Sequence, residues 1–194
     1  MKKNIKQSII NETINLINAN DDVSKITIRD ICKATGVGTG LINYHFKSKE
    51  NLIACCVQQI IGDVIQQFNN MCLLLKNKTA LERLRMMIKS TCTFLVDNEN
   101  IARISILTDM QKGAFNDNTN QTLSVYLPIV KAVCPNGTDL LDIKILAYNL
   151  IFALQGLFLR TDLAKADLAL DFREEKDRDL LVDKVIDSVF SKYL

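Results

Sequence analysis

Apolar residues recur along this chain at helical rather than alternating spacing. The first run, Ile5 to Ala19, sets Ile5, Ile9, Ile10, Thr13, Ile14, Leu16 and Ile17 on one side of an amphipathic helix, and Asn20-Asp21-Asp22 ends it. A second helix is predicted from Thr27 to about Ala34, because the Thr27 hydroxyl can cap it and Asp30 stands three residues on, in the capping-box position. Gly36 marks a tight turn, and a very short helix follows from about Thr39 to Tyr44. Ser48 caps a long helix whose stripe is Leu52, Ile53, Cys56, Ile60, Val64, Ile65, Phe68, Cys72 and Leu75.

The second half continues in the same period. Thr79 and Glu82 form a capping box opening a helix through Val96, and Ile101 to Leu107 makes a shorter one. Asn116 to Asn120 reads as a polar loop. The next helix, Thr122 to Val133, contains Pro128, which removes a backbone donor and predicts a kink or early end. Pro135-Asn136-Gly137 is a turn, after which Thr138 opens an almost wholly apolar helix to Leu159. Arg160 to Asp171 is a mixed segment, and a last helix runs from Glu174 to Tyr193. The pattern is therefore all-α. An N-terminal three-helix domain (residues 1–47) is joined by a long helix to a helical body (48–194), about nine helices altogether.

Composition agrees with helices: of 194 residues 48% are hydrophobic, with two Pro, seven Gly and no Trp. Net charge is only +2, but residues 1–50 hold eight Lys/Arg against five Asp/Glu, a small basic excess that suits a nucleic-acid-binding head. No export signal is visible, and the longest apolar stretch, Ile143 to Leu159, contains Lys144, Asn149 and Gln155. It predicts a buried helix rather than a membrane span, and a cytoplasmic protein. Cys32, Cys55, Cys56, Cys72, Cys92 and Cys134 include no CxxC pair and read as reduced, small core residues, with a thiol sensor as the alternative. A single His, no phosphate-cradling glycine loop and no metal-binding spacing predict no catalytic residue, no metal and no cofactor.

The informative stretch is Thr27 to Leu52. Its two short helices turn Ile28, Ile31, Cys32, Val37, Ile42 and Phe46 inward across Gly36. The second of them presents Thr39, Leu41, Asn43, Tyr44 and His45, the size and chemistry of a recognition helix in a major groove. The run Thr-Ile-Arg-Asp-Ile, then Gly-Val, Gly40, Tyr-His-Phe and Lys-Ser-Lys-Glu resembles the DNA-binding region of the tetracycline-repressor (TetR) family over Ile5 to Ala54. The resemblance implies that Thr27 and Tyr44 bind phosphate and that Thr39 and Leu41 face bases. It implies also that His45 and Lys49 meet backbone phosphate or cap the site. Gly38, Gly40 and Asn43 complete the DNA-facing set. Two of these depart from the family: Gly38 stands where Ser or Thr is usual, and Asn43 where Tyr is usual. Asn can pair with adenine. Arg29 reads as a solvated or intramolecularly paired cation, and Phe46 as core.

The resemblance further implies a homodimer through the last two helices, double-stranded operator DNA as partner, and an unknown small-molecule inducer in the body. The sequence allows this. The 139–159 helix is apolar nearly all round, with Ala153 and Gly156 permitting close approach. Leu181, Val182, Val185, Ile186, Val189 and Phe190 stripe the last helix. Met87, Phe94, Met110, Tyr126, Tyr148 and Phe152 are the candidate lining of a ligand pocket, Met and aromatics being suited to an adaptable apolar cavity.

Overall fold

The computed structural model describes residues 5–20, 25–75 and 77–193, and within α4 it leaves out the side chains of 63 and 65–74. Asp21, Asp22 and the side chains of Ile65, Phe68 and Cys72 thus lie outside the described residues. Among the described residues there are ten helices and no strand. In chain order they are α1 (Ile5–Asn18), α2 (Ile28–Thr35), α3 (Thr39–Phe46), α4 (Lys49–Leu74), α5 (Ala80–Asp97), α6 (Glu99–Lys112), α7 (Asn118–Val133), α8 (Leu140–Leu159), α9 (Thr161–Leu168) and α10 (Glu175–Phe190).

The chain divides into two compact units. The first holds Met1–Val64 and Asn98–Ser105, and so takes in the first half of α4 and the start of α6 beyond the boundary drawn at residue 47. Its core is the set the periodicity selected: Ile9, Ile17, Ile31, Ile42, Leu52 and Cys56 are fully buried, and Phe46 nearly so. Each such side chain contributes about 1.5–3 kcal/mol by leaving water. Asn100, at the start of α6, donates to the carbonyls of Ile17 (3.4 Å) and Asn20 (2.6 Å), adding to the bond that Asn20 N already gives the Ile17 carbonyl at the C-terminal end of α1. No sequence signal marked that clasp.

The second unit holds Ile65–Asp97 and Ile106–Leu194. Helices α5, α7, α8 and α10 pack around Leu84, Met87, Tyr126, Leu150, Phe158, Phe172, Ile186 and Phe190. Thr79 and Glu82 form the predicted box, with Thr79 N donating to Glu82 Oε2 at 2.8 Å and Glu82 N to the Thr79 hydroxyl at 3.2 Å. Between α5 and α10, Arg85 pairs with Asp183 (2.9 Å) and Asp187, and Lys89 with Asp183 (2.8 Å) and Asp179 (3.4 Å). Burial alone would push the Asp183 carboxyl up. Its hydrogen bonds from Lys89 and Arg85 outweigh this and hold it below the ordinary carboxylate range. Arg178 is buried and donates to the carbonyls of Phe172 (3.3 Å) and Arg173 (2.8 Å) and to the Thr93 hydroxyl (3.1 Å), so it fastens the turn before α10 to α5.

Four expectations are revised. Pro128 does not end α7, which runs unbroken from Asn118 to Val133. Both Pro128 and Ser124 are exposed, so the Ser124 carbonyl that the proline leaves without a partner faces solvent. The start of α7 absorbs much of the expected 116–120 loop, with Asp117 as its cap. Asp139, rather than Thr138, caps α8, accepting from Leu141 N at 3.2 Å. The mixed segment contains a real helix, α9, ended by Ala169 in the left-handed conformation (φ 55°).

Candidate nucleic-acid interface

Three local devices shape the α2–α3 hairpin. Thr27 caps α2 by a reciprocal box: Asp30 N donates to the Thr27 hydroxyl at 3.3 Å, while Thr27 N and its hydroxyl donate to Asp30 Oδ2 at 2.8 and 2.7 Å. Those bonds from Thr27 hold the Asp30 carboxyl below its ordinary range. Gly36 ends α2 at φ 70°, a left-handed conformation that glycine adopts without the steric penalty of a Cβ. Ser48 Oγ accepts from Asn51 N at 3.1 Å and starts α4.

Helix α3 is then held by two residues one turn apart, Ile42 and Phe46, both buried. At 100° per residue their opposite face is Gly40 and Tyr44, flanked by Thr39 and Asn43 on one side and Leu41 and His45 on the other. Tyr44 is 72% exposed, Gly38, Thr39, Gly40 and Asn43 are exposed, and Leu41 and His45 half-buried. The tyrosine ring meets His45 edge-on at 5.0 Å between centroids. Thr39 is tied back to α2, its Oγ1 lying 3.5 Å from Cys32 Sγ. A Cβ added at Gly38 or Gly40 would meet nothing within 4 Å. Nothing inside the unit requires glycine there.

Two residues assigned to phosphate are already engaged. Thr27 spends its donors on Asp30. The Lys49 ammonium is half-buried and donates to the Ile26 carbonyl at 2.9 Å, closing the start of α4 onto the strand of chain that enters α2. Its structural role is therefore to hold the Thr27 end of α2. Exposed cations around this hairpin include Arg29, Lys33 and Lys47.

The six candidate pocket residues do not converge. Met87 and Tyr126 are both fully buried, and the Tyr126 hydroxyl donates to the Met87 carbonyl at 3.1 Å and also bonds the Thr91 hydroxyl. Phe94 is half-buried, and Met110 lies 51% exposed on α6. Tyr148 and Phe152 meet with their rings tilted by 44° and centroids 5.4 Å apart on the outer face of α8, away from the side that carries Ala147, Leu150, Ile151 and Leu154. The two residues are 42 and 43% exposed, and Leu141 and Ile145 extend the same stripe. Beside it, Phe152, Ala153, Gly156 and Leu157 face Leu163, Ala164 and Leu168 of α9 across a groove of about 550 Å³, with Arg160 and Asp167 at its rim. Helix α8 is long and apolar enough to cross a membrane by length and composition, yet only a third of its most apolar stretch is buried. The last helix differs: Leu181, Val182, Ile186 and Phe190 are buried within the unit, Val185 and Val189 are half-buried, and its outer face carries Lys176, Leu180 and Lys184.

Burial holds the thiols of Cys56 and Cys92 up at about 12, and raises that of Cys134 as well. Among the described residues no group of three His, Cys, Asp or Glu could hold a metal ion.

Residues 9–55 match the profile of the bacterial regulatory proteins of the tetR family. The chain is 26% identical over 138 residues to the fatty acid metabolism regulator protein of Bacillus subtilis (strain 168), a match covering 70% of this chain and 69% of that one. A putative tetR-family transcriptional regulator from Mesorhizobium loti MAFF303099 has a similar fold, with TM-score 0.69 at 13% identity, covering 97% of this chain and 96% of that one. The transcriptional regulator FadR from Bacillus subtilis, solved in complex with stearoyl-CoA, gives a TM-score of 0.62 at 20% identity, over 95% of this chain and 97% of that one.

Proposed function

We propose that this chain, whose residues 9–55 match the tetR-family DNA-binding profile on a fold shared with that family's regulators, is a tetR-family transcriptional regulator, a homodimeric repressor released from a near-palindromic operator by a small apolar or amphipathic ligand. The observation that carries the DNA-binding half is the outer face of α3. It is polar and aromatic, built on two buried anchors, and it contains two glycines that the protein's own packing does not ask for. Thr39, Leu41 and Asn43 read bases from it; Tyr44 and His45 meet backbone phosphates; Gly38 and Gly40 let the helix come close.

One short helix reads too few base pairs for useful specificity, so two copies are needed. The stripe Leu141, Ile145, Tyr148, Phe152 and the adjoining α8–α9 groove support a second copy of this chain as its cover. Of the last two long helices, α8 carries this exposed stripe, and α9 adds the groove beside it.

The ligand half is supported by the relative that regulates fatty acid metabolism, which makes acyl chains the first class to test. A ligand acts only through unequal affinity for the two states, so it must favour a dimer whose heads misfit the operator. A coupling of about 1–3 kcal/mol would weaken DNA binding roughly 5–150-fold. The protonated thiols at Cys56, Cys92 and Cys134 disfavour those three as redox sensors.

The test combines sedimentation with footprinting on the DNA upstream of the chain's own gene. A dimer protecting two half-sites about 34–36 Å apart, or a multiple of that, is expected. A long-chain acyl compound should lift the protection. A monomer at micromolar concentration would overturn the dimer, and release by oxidant alone would replace the ligand with a thiol switch.

A further inference from the structure

In the second unit one buried acceptor has nothing to bind. Gln155 lies on α8, 7% exposed, beside the buried Ile151, Leu154 and Phe158 of the same helix. Its amide nitrogen donates to the Thr119 hydroxyl at 3.2 Å, and its Oε1 is buried without a hydrogen-bond partner. Among the described residues the other two such atoms, Arg83 Nε and Arg178 Nε, are donors.

A relay of bonds fixes which way the amide points. Asp109 Oδ2 takes the backbone N–H of Thr119 at 2.8 Å, so that oxygen is an acceptor. The Thr119 hydroxyl, 2.9 Å from the same oxygen, therefore gives it its one proton. The hydroxyl can then only accept from Gln155. Flipping the amide would set Oε1 against an oxygen with no proton to offer, so Nε2 faces Thr119 and Oε1 faces away. Buried polar groups are partnered in the great majority of cases, because leaving one unmet costs its full desolvation. Leucine would fill this position without that cost.

We propose that Gln155 Oε1 is the polar anchor of a small-molecule site in this unit, and that its ligand carries one O–H or N–H donor on an otherwise apolar body. A hydroxylated acyl chain, a long-chain alcohol or a long-chain amide has that chemistry. A thioester, an ether or an ionised carboxylate does not, since each brings only lone pairs to an atom that needs a proton. Tyr126, the other buried hydroxyl facing this core on α7, is already satisfied by Met87 and Thr91. The inference rests on the ligand-controlled reading above and narrows the class of ligand.

Two probes matched in heavy atoms separate the outcomes: 1-decanol, which carries the donor, and methyl nonyl ether, which lacks it. Calorimetry on the full chain should give about tenfold tighter binding of the alcohol, the size of one hydrogen bond to an otherwise unmet buried acceptor. In Gln155→Leu the ether should bind as before and the preference should shrink to within about twofold. That variant should melt no lower than the parent, and Gln155→Asn gives a second, polar control for folding. Equal affinities in the parent, a preference that survives in Gln155→Leu, or binding of neither probe overturns the anchor. Operator release is measured in parallel. Release by both probes alike leaves the repressor reading standing and removes the anchor. A Gln155-dependent preference without release does the reverse.

Discussion

Replacing Gly40 by alanine should make the protein more stable and worse at its task. Gly40 lies in the first turn of α3, opposite Ile42, and a Cβ there meets nothing within 4 Å. Alanine loses less backbone freedom on entering a helix, which stabilises by about 0.5–1 kcal/mol. For a chain of this size the melting point should rise by about 1–4 °C. On DNA the same methyl stands at the centre of the approaching face. If α3 docks closely, it displaces the helix or the groove floor, at a cost of the order met in overpacked interiors, about 1–3 kcal/mol. That is a loss of about 5- to 150-fold in affinity. The assay is fluorescence anisotropy with a duplex selected from a random pool, run beside thermal melts of both proteins. Raised melting with affinity unchanged within twofold would refute the placement of this face on DNA. Lowered melting would refute the claim that nothing in the unit needs the glycine.

Gly38→Ser should raise stability by a few tenths of a kcal/mol, roughly the gap between serine and glycine caps, because α3 now has no side-chain cap bond; the added hydroxyl should tighten all DNA sequences alike. Lys49→Met should weaken DNA binding and lower stability by about 1 kcal/mol through loss of the bond to Ile26, while leaving the salt slope unchanged; a slope that falls by about one would make Lys49 a phosphate contact instead. Tyr126→Phe removes the bonds from the tyrosine hydroxyl to the Met87 carbonyl and the Thr91 hydroxyl, which keep their own bond to each other at 3.0 Å, and should cost about 1 kcal/mol in urea unfolding. Asp183 is held below its ordinary value in the folded chain, so its contribution is present above about pH 4 and is lost as pH falls through the folded value; Asp183→Asn should flatten that acid limb of the stability curve.

What was legible in the sequence was local. Thr27–Asp30, Gly36, Ser48 and Thr79–Glu82 announce helix ends through contacts three or four residues long, and each is found as the spacing implied. Ile31, Ile42 and Phe46 followed from period alone. Direction was harder. Helix α8 is apolar on every side, so nothing in its pattern says which residues meet the core, and Tyr148 and Phe152 proved to face out. Helix α9 was hidden because its large apolar residues, Leu163 and Leu168, are exposed and its end is an alanine rather than the glycine that usually marks a left-handed cap. Gln155 read as a flaw in an apolar run; only the bonds to Thr119 and Asp109, from distant parts of the chain, give it meaning. Lys49 was assigned by its place in a motif, and its bond to Ile26 spans 23 positions.

The Asp30 carboxylate has a consequence for how the protein searches DNA. It sits on the amide and hydroxyl of Thr27, where an incoming phosphate would sit, so the start of α2 already has an anionic tenant. Were a phosphate to take Thr27, as the family resemblance implies, one anion would be exchanged for another. The displaced carboxylate stays nearby and repels the newcomer, which loosens the grip that every DNA sequence shares while leaving the base-facing side of α3 untouched. Right and wrong sites alike would then be left sooner, while the ratio between them stays set by the base-facing side of α3.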